Sequence, residues 1–308
     1  MTGPASRRPP SDKGAVQTFP YLCPSKKHPK KKTLAMCNYK AIVSDLDGTL
    51  FDADSRITPR TAAALRAAAQ AGLKIILATG RHHADLRGIV ETGLGIPVYR
   101  VSENGGVVFS PQEERLVYHP MAPDIVRRLT EVMADAPQEV YLHLYKGERW
   151  FVNKYDAVSV THQNQSGFLF EVADYSTFPD FEDCTKMCFM ARDERAVAFM
   201  DRTVRKVRDP RLSFFWTMNT CFEAMDIHAD KGVAVKGILQ REGIRPEEVL
   251  AFGDGLNDLN MLRLAGKGIV MGNAVPQLVE ALPHNERIGT NREEAVAQYI
   301  EQHVLDGK

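Results

Sequence analysis

Two aspartates, Asp45 and Asp47, stand two residues apart between the apolar run 41–44 and Gly48. The apolar run predicts a short buried strand, and the glycine predicts a turn directly after it. Two carboxylates at the end of such a strand suit a nucleophile and an acid/base group that share one Mg²⁺ ion. This pair is therefore the first candidate for chemistry in the chain.

The same stretch has two less specific interpretations. An EF-hand loop that began at Asp45 would need Gly at its sixth position and a carboxylate at its twelfth, but these positions hold Leu50 and Arg56. The calcium loop is therefore excluded. A solvated turn stays open at this point, because Asp and Gly are common turn residues.

Polar residues also follow two other apolar runs, at 74–78 and 249–252. Thr79 and Gly80 follow the first run, and Asp254 stands between two glycines after the second. The carboxyl ends of parallel strands meet at one edge of a sheet, so these residues are expected beside the aspartate pair. A hydroxyl group and a backbone N–H at a helix entry can hold phosphate oxygens.

Lys231 opens a predicted helix directly after Asp230. The helix macrodipole disfavours a cation in the first turn by roughly a few tenths of a kcal/mol. The position of Lys231 therefore suggests an anionic partner, and a surface lysine is the alternative.

Apolar runs and helical patterns alternate on both sides of a long middle region. They predict helices at 59–71, 231–242, 258–265 and 292–303 and strands at 41–44, 74–78, 249–252 and 268–271. Between 97 and 228 the segments are aromatic or alternating, which predicts an α+β unit. The sequence thus predicts an α/β fold with a doubly wound parallel-sheet (Rossmann-like) core at 39–85 and 229–308 and an inserted α+β cap domain at 86–228.

The formal net charge of zero conceals a basic N-terminal segment. Residues 1–38 carry eight Lys or Arg against one Asp and include six prolines, so we expect a disordered arm. No apolar run approaches the ~20 residues needed to span a bilayer, and the basic residues precede no signal-like apolar segment. We expect a cytoplasmic protein that acts on a small molecule, without a membrane partner or nucleic-acid binding by the folded part. The five cysteines contain no Cys-x-x-Cys pair, which argues against a disulfide framework and a zinc ribbon.

Taken together and in order, the motifs around Asp45, Thr79, Lys231 and Asp254 resemble those of the haloacid dehalogenase-like hydrolases. The resemblance extends from about residue 39 to the C-terminus, and the position of the insertion resembles the Cof-type members with a large α+β cap. The motifs 78–83, 252–255, 266–272 and 289–291 look most like the pyridoxal phosphate phosphatase branch, whose members also accept sugar phosphates.

The resemblance implies an Mg²⁺-dependent hydrolysis of phosphomonoesters in which Asp45 attacks phosphorus and forms an aspartyl-phosphate. Asp47 would protonate the leaving oxygen and then activate water. Asp45, the Asp47 backbone carbonyl and Asp254 would bind the metal. Further positions are expected to hold the phosphate oxygens: Thr79, Gly80, Lys231, Asn257 and the backbone N–H of Leu46. Asp258 would orient Lys231 or a metal-bound water.

The cap would close over the leaving group, and pyridoxal 5′-phosphate is the first-choice substrate. His143, Tyr145 and Trp150 are candidates for recognising a ring or polyol, with packing on the cap sheet as the alternative. His82 and His83 are expected at a helix start, and Asn104 in a turn at the cap entrance.

Other functions are compatible with parts of this pattern. A phosphomutase of the same superfamily would return the phosphoryl group to a sugar, and product analysis would distinguish it. A phospho-ligand sensor or scaffold is disfavoured because every catalytic position is filled. A P-type pump would have Lys in place of Asp47, and a dehalogenase would not need Asp47 at all.

Overall fold

The computed structural model describes residues 39–133, 136–204, 206–207, 209–218 and 220–305. The arm predicted at 1–38 lies outside the described residues. The strands are β1 (Ala41–Ser44), β2 (Lys74–Ala78), β3 (Tyr99–Ser102), β4 (Val107–Phe109), β5 (Arg115–Tyr118), β6 (Val140–Lys146), β7 (Arg149–Val152), β8 (Phe170–Val172), β9 (Cys184–Ala191), β10 (Leu212–Met218), β11 (Cys221–Asp226), β12 (Val249–Gly253), β13 (Lys267–Val270) and β14 (Glu286–Arg287). The helices are α1 (Pro59–Gln70), α2 (His83–Ile89), α3 (Pro123–Val132), α4 (Ala157–Ser166), α5 (Glu194–Val204), α6 (Lys231–Glu242), α7 (Leu259–Leu264), α8 (Pro276–Ala281) and α9 (Ala295–Ile300).

The larger sheet has the strand order β14-β13-β12-β1-β2-β3-β4-β5. Its strands from β14 to β3 pair in parallel, and β4 and β5 extend it as antiparallel strands. Ile42 of β1 packs in one apolar cluster with residues of α1 and α9, and Val43 packs in another with residues of α6 and α7. Helices therefore cover both faces of the sheet, which confirms the predicted α/β class with a parallel core.

The second sheet has the order β10-β11-β9-β6-β7-β8, and all its pairs are antiparallel except β7 with β8. Residues of α3 and α5 pack against one of its faces. We call the segment 121–226, which contains this sheet, the inserted unit.

The predicted start of the insertion at residue 86 is too early. Strands β3, β4 and β5 pair with the larger sheet, and only the chain after them forms the second sheet. The short apolar and aromatic runs of β4 and β5 resemble those of the second sheet. Sequence pattern alone therefore does not assign them to either sheet.

The predicted helices at 59–71, 231–242 and 258–265 are confirmed to within one residue at each end. The last helix starts later than predicted, at Ala295, because Glu294 has a φ of 55° and interrupts the helical conformation. His82 caps α2, which begins at His83, as predicted. No helix among the described residues is long and apolar enough to cross a membrane.

Candidate active site

Asp45 lies directly after β1, in the middle of the larger sheet. Its backbone N–H donates to the carbonyl of Phe252 at 3.1 Å, which ties the residue to the neighbouring strand β12. The residue is only 5% exposed. Its carboxylate is therefore held in a fixed, largely water-excluded position at the carboxyl edge of the sheet.

The turn after Asp45 brings Asp254 close to it. Gly48 has a φ of 81°, and a Cβ on this residue would lie 2.3 Å from Oδ2 of Asp254. Only glycine therefore allows the two loops to approach this closely. The Thr49 hydroxyl donates to Asp254 Oδ1 at 2.8 Å, and Asn273 donates to the Gly48 carbonyl at 2.8 Å.

Lys231 is buried between two carboxylates at the start of α6. Its Nζ donates to Asp45 Oδ1 at 2.6 Å and to Asp258 Oδ1 at 2.7 Å, while only 1% of the residue is exposed. Asp258 Oδ2 accepts from the backbone N–H groups of Asp254 and Gly255, both at 2.9 Å. Lys231 thus has two anionic partners, and Asp258 contacts it directly. The surface-lysine alternative is wrong.

Burial and neighbouring negative charge oppose ionisation of the carboxyl groups of Asp45 and Asp254. Burial raises the pKa of Asp45 well above its ordinary value; Lys231 opposes this effect, and Asp258 and Asp254 add to it. Burial, with Asp258 beside it, raises the pKa of Asp254 to about 6. Burial also disfavours the charged form of Lys231, but Asp258 and Asp45 outweigh it and hold the pKa of the ammonium group above its ordinary value.

The donor set fits a hard divalent cation. Asp45, Asp254 and Asp258 each present a carboxylate oxygen, and these oxygens lie within 4.8 Å of one another. One lysine faces these three carboxylates, so a further positive charge would relieve their repulsion. Oxygen ligands of this kind are those that Mg²⁺ prefers.

The carboxylate of Asp47 is bound by Arg81. Arg81 binds both of its oxygens, with Nε to Oδ2 at 2.8 Å and an Nη to Oδ1 at 2.6 Å. Arg81 also donates to Asp85 at 3.2 Å and lies 4.9 Å from the centre of the Phe51 ring. In this arrangement, both oxygens of Asp47 are occupied by guanidinium N–H groups.

Three of the predicted phosphate-binding positions, Thr79, Gly80 and Asn257, lie next to Asn104. Asn257 donates to Asn104 Oδ1 at 2.9 Å, and a Cβ on Gly80 would lie 3.3 Å from the same atom. Thr79 is buried, and its hydroxyl oxygen accepts from the Arg81 backbone N–H at 3.1 Å. Leu46 is buried in the turn after Asp45. Asn104 occupies a turn with a φ of 52°, as predicted.

Comparison with known proteins agrees with this geometry. The profile of the haloacid dehalogenase-like hydrolase family matches residues 42–300. The chain belongs to this family. A relative from Haemophilus influenzae is 32% identical over 262 residues, which cover 85% of this chain and 96% of the relative. The HMP-PP phosphatase of Cronobacter sakazakii is 30% identical, covering 85% of this chain and 94% of its own.

A haloacid dehalogenase-like hydrolase from Bacteroides thetaiotaomicron has the same fold. Its crystal structure superposes with a TM-score of 0.75 at 24% identity, covering 86% of this chain and 99% of that one. The family membership predicted from the four motifs is therefore confirmed. The pyridoxal phosphate branch stays a prediction.

The three substrate candidates on the inserted unit of this hydrolase pack on one another and on neighbouring aromatic rings such as Phe168. Trp150 donates from Nε1 to His143 Nδ1 at 3.3 Å and stacks on Tyr145 with 5.9 Å between ring centres. All three are buried, and burial lowers the pKa of His143 to about 4. These contacts are the ones expected if the three side chains pack on the cap sheet.

Several residues at the site were not singled out from the sequence of this hydrolase. Arg81 belongs to the quoted motif 78–83, and Thr49 directly follows Gly48. The guanidinium and hydroxyl groups of these residues can donate to neighbouring carboxylates, as they do in the structure. Asn273 and Lys186 stand in apolar or mixed segments that show no such signal. Lys186 extends from the inserted unit and donates to the Gly80 carbonyl at 3.0 Å.

Proposed function

We propose that this chain is an Mg²⁺-dependent phosphatase that hydrolyses small-molecule phosphomonoesters through an aspartyl-phosphate at Asp45. The arrangement of Asp45 carries the proposal: a buried carboxylate at the sheet edge, 2.6 Å from Lys231 Nζ and beside Asp254. A fixed carboxylate beside a positive charge can approach a phosphate dianion, because the positive charge offsets their repulsion. A carboxylate in a solvated turn would lack that charge.

In the first step, an Asp45 oxygen bonds to phosphorus and the ester P–O bond breaks. Asp47, in its protonated form, gives its proton to the leaving oxygen. In the second step Asp47 takes a proton from the water that attacks phosphorus, the bond between phosphorus and the Asp45 oxygen breaks, and inorganic phosphate leaves. Both roles require the ion pair between Asp47 and Arg81 to open, because that pair occupies both carboxylate oxygens.

Asp45, Asp254 and the backbone carbonyl of Asp47 would hold Mg²⁺, which supplies charge that offsets the repulsion between carboxylate and phosphate. Lys231 stabilises the charge that spreads over the equatorial oxygens in the transition state. The remaining predicted phosphate contacts come from Leu46 N–H, Thr79, Gly80 and Asn257.

The identity of the leaving group depends on the inserted unit, which we propose as the cap. Pyridoxal 5′-phosphate is the first choice from the motif resemblance, and sugar phosphates are the second. The name of the Cronobacter sakazakii relative adds HMP-PP to the compounds worth testing.

The test is phosphate release from pyridoxal 5′-phosphate, hexose phosphates, flavin mononucleotide, nucleotides and HMP-PP, with Mg²⁺ and with chelator. We expect release that needs Mg²⁺ and that is abolished in Asp45→Asn. Asp54→Asn is the matched control, because Asp54 is an exposed aspartate in the same loop region. Release that persists with chelator or in Asp45→Asn would contradict the mechanism, whereas equal turnover of all compounds would contradict only the pyridoxal assignment. Transfer of phosphate to a second sugar would instead indicate a mutase.

A further inference from the structure

Side chains alternate between the two faces of the second sheet. On β9 and β11, Phe189 and Ala224 point into the apolar cluster formed with α3 and α5. The alternate residues Lys186, Cys188 and Glu223 therefore lie on the opposite face, which we call the inner face. Two strands that otherwise carry apolar core residues thus place a buried lysine and a buried carboxylate on this face.

The inner face lies against the phosphate-binding end of the larger sheet. Lys186 Nζ donates to the Gly80 carbonyl at 3.0 Å, and Asn104 Nδ2 lies 3.8 Å from the sulfur of Met225. Asn104 in turn accepts from Asn257, a predicted phosphate contact. A phosphomonoester bound at Asp45 would therefore direct its leaving group toward this face.

Glu223 has one oxygen with a partner and one without. Oε1 accepts from Lys186 at 3.0 Å, while Oε2 is buried and accepts from no donor among the described residues. The side chain is 9% exposed. A buried carboxylate oxygen without a donor is unfavourable, and such groups in native proteins call for a partner.

Lys186 holds this carboxylate in place. Its ammonium group lies 4.7 Å from the centre of the Tyr145 ring and donates to both Glu223 and the Gly80 carbonyl. These three contacts hold Lys186, and with it Glu223 Oε1, in position. Burial disfavours the charged form of Lys186, but Glu223 outweighs it and keeps the pKa of the ammonium group above its ordinary value. Oε1 is thus held by the Lys186 ammonium group, and Oε2 is left as a carboxylate oxygen that can accept a hydrogen bond.

We propose that Glu223 Oε2 binds an N–H or O–H donor on the leaving group, so that the substrate is a phosphate ester of a hydroxylated or amino-bearing molecule. This inference rests on the proposed function. Glu223 would be a specificity residue and Lys186 a positioning residue. A leaving group with a carboxylate at this point would be rejected, because two acceptors would face each other without a proton.

Glucose 6-phosphate, glucosamine 6-phosphate and cyclohexylmethyl phosphate test the proposal. All three are esters of primary alcohols, and only the last lacks donors on its ring. We expect wild type to have a kcat/KM at least 10-fold higher for one of the sugar esters than for the cyclohexyl ester. In Glu223→Gln this ratio should fall about 10- to 100-fold, as expected for losing a hydrogen bond to a charged group. Glu171→Gln is the matched control, because Glu171 is an exposed carboxylate of the same sheet that pairs with Arg149.

Two results would overturn the inference: a wild-type preference below threefold, or a preference that is the same in wild type and Glu223→Gln. The wild-type comparison needs no variant, so it decides even if Glu223→Gln folds poorly. Turnover of p-nitrophenyl phosphate separates this inference from the proposed function. If wild type releases no phosphate from that compound with Mg²⁺, the proposed function itself fails; if it does, only the donor contact is in question.

Discussion

The contact of Lys231 with two buried carboxylates predicts a large loss of stability in Lys231→Met. Methionine fills much of the same volume but removes the charge, leaving Asp45 and Asp258 without their shared donor. Breaking a buried ion pair by removing one partner costs about 3–5 kcal/mol. The upper part of that range is expected, because Nζ makes two short charge-assisted hydrogen bonds and Lys231 is 1% exposed.

The assay is urea unfolding with chelator present, so that no cation replaces the ammonium group. Lys236→Met is the matched control, since Lys236 is exposed on the same helix, and it should change the free energy of unfolding by no more than about 0.5 kcal/mol. A loss below about 1 kcal/mol in Lys231→Met, the range of exposed ion pairs, would refute the reasoning. With Mg²⁺, kcat should also fall roughly 10²- to 10³-fold, as when one transition-state donor is removed.

Three further predictions test other parts of the structure. Burial lowers the pKa of His82 to about 4 from its ordinary 6.5. The unfolded chain therefore binds the proton more readily, and the free energy of unfolding falls as pH drops from 6.5 to 4. His82→Asn, which keeps a helix-capping side chain, should flatten this part of the pH profile, and an unchanged slope would contradict the prediction. Gly48→Ala should lower kcat at least about 10-fold because its Cβ would displace Asp254. Gly72→Ala is the control: Gly72 also has a positive φ, but nothing lies within 4 Å of the added Cβ, so this variant should lose stability without loss of kcat. Equal kcat in the two variants would be inconsistent with the clash. Asp47→Asn should reduce kcat/KM more for glucose 6-phosphate than for p-nitrophenyl phosphate, because nitrophenolate leaves without a proton, and an equal reduction would argue against acid catalysis.

The sequence contained enough to predict the core sheet and the cluster around Asp45. Buried parallel strands are continuous apolar runs, and their carboxyl ends must share one edge, so Asp45, Thr79 and Asp254 could be placed together without coordinates. The place of Lys231 beside them was implied by the family resemblance. The resemblance likewise implied that Asp258 orients Lys231 or a metal-bound water.

The remaining features depend on contacts that no local pattern encodes. Strands β4 and β5 are short apolar or aromatic runs like those of the second sheet, so their sheet could not be chosen from sequence. Arg81 reaches Asp47 across 34 positions, and Lys186 reaches Gly80 across 106. The unpartnered oxygen of Glu223 is visible only when the surrounding side chains are placed.

The most direct test of the central claim is a rapid-quench experiment that looks for phosphate on Asp45. Wild-type enzyme would be mixed with Mg²⁺ and a turned-over phosphomonoester, quenched in acid within one turnover, and digested for mass spectrometry. We predict an acid-stable, hydroxylamine-labile phosphoryl group on the peptide that contains Asp45, and none on the same peptide of Asp45→Asn. Full turnover with no phosphorylated peptide, together with inversion of configuration at phosphorus, would contradict a nucleophilic role for Asp45.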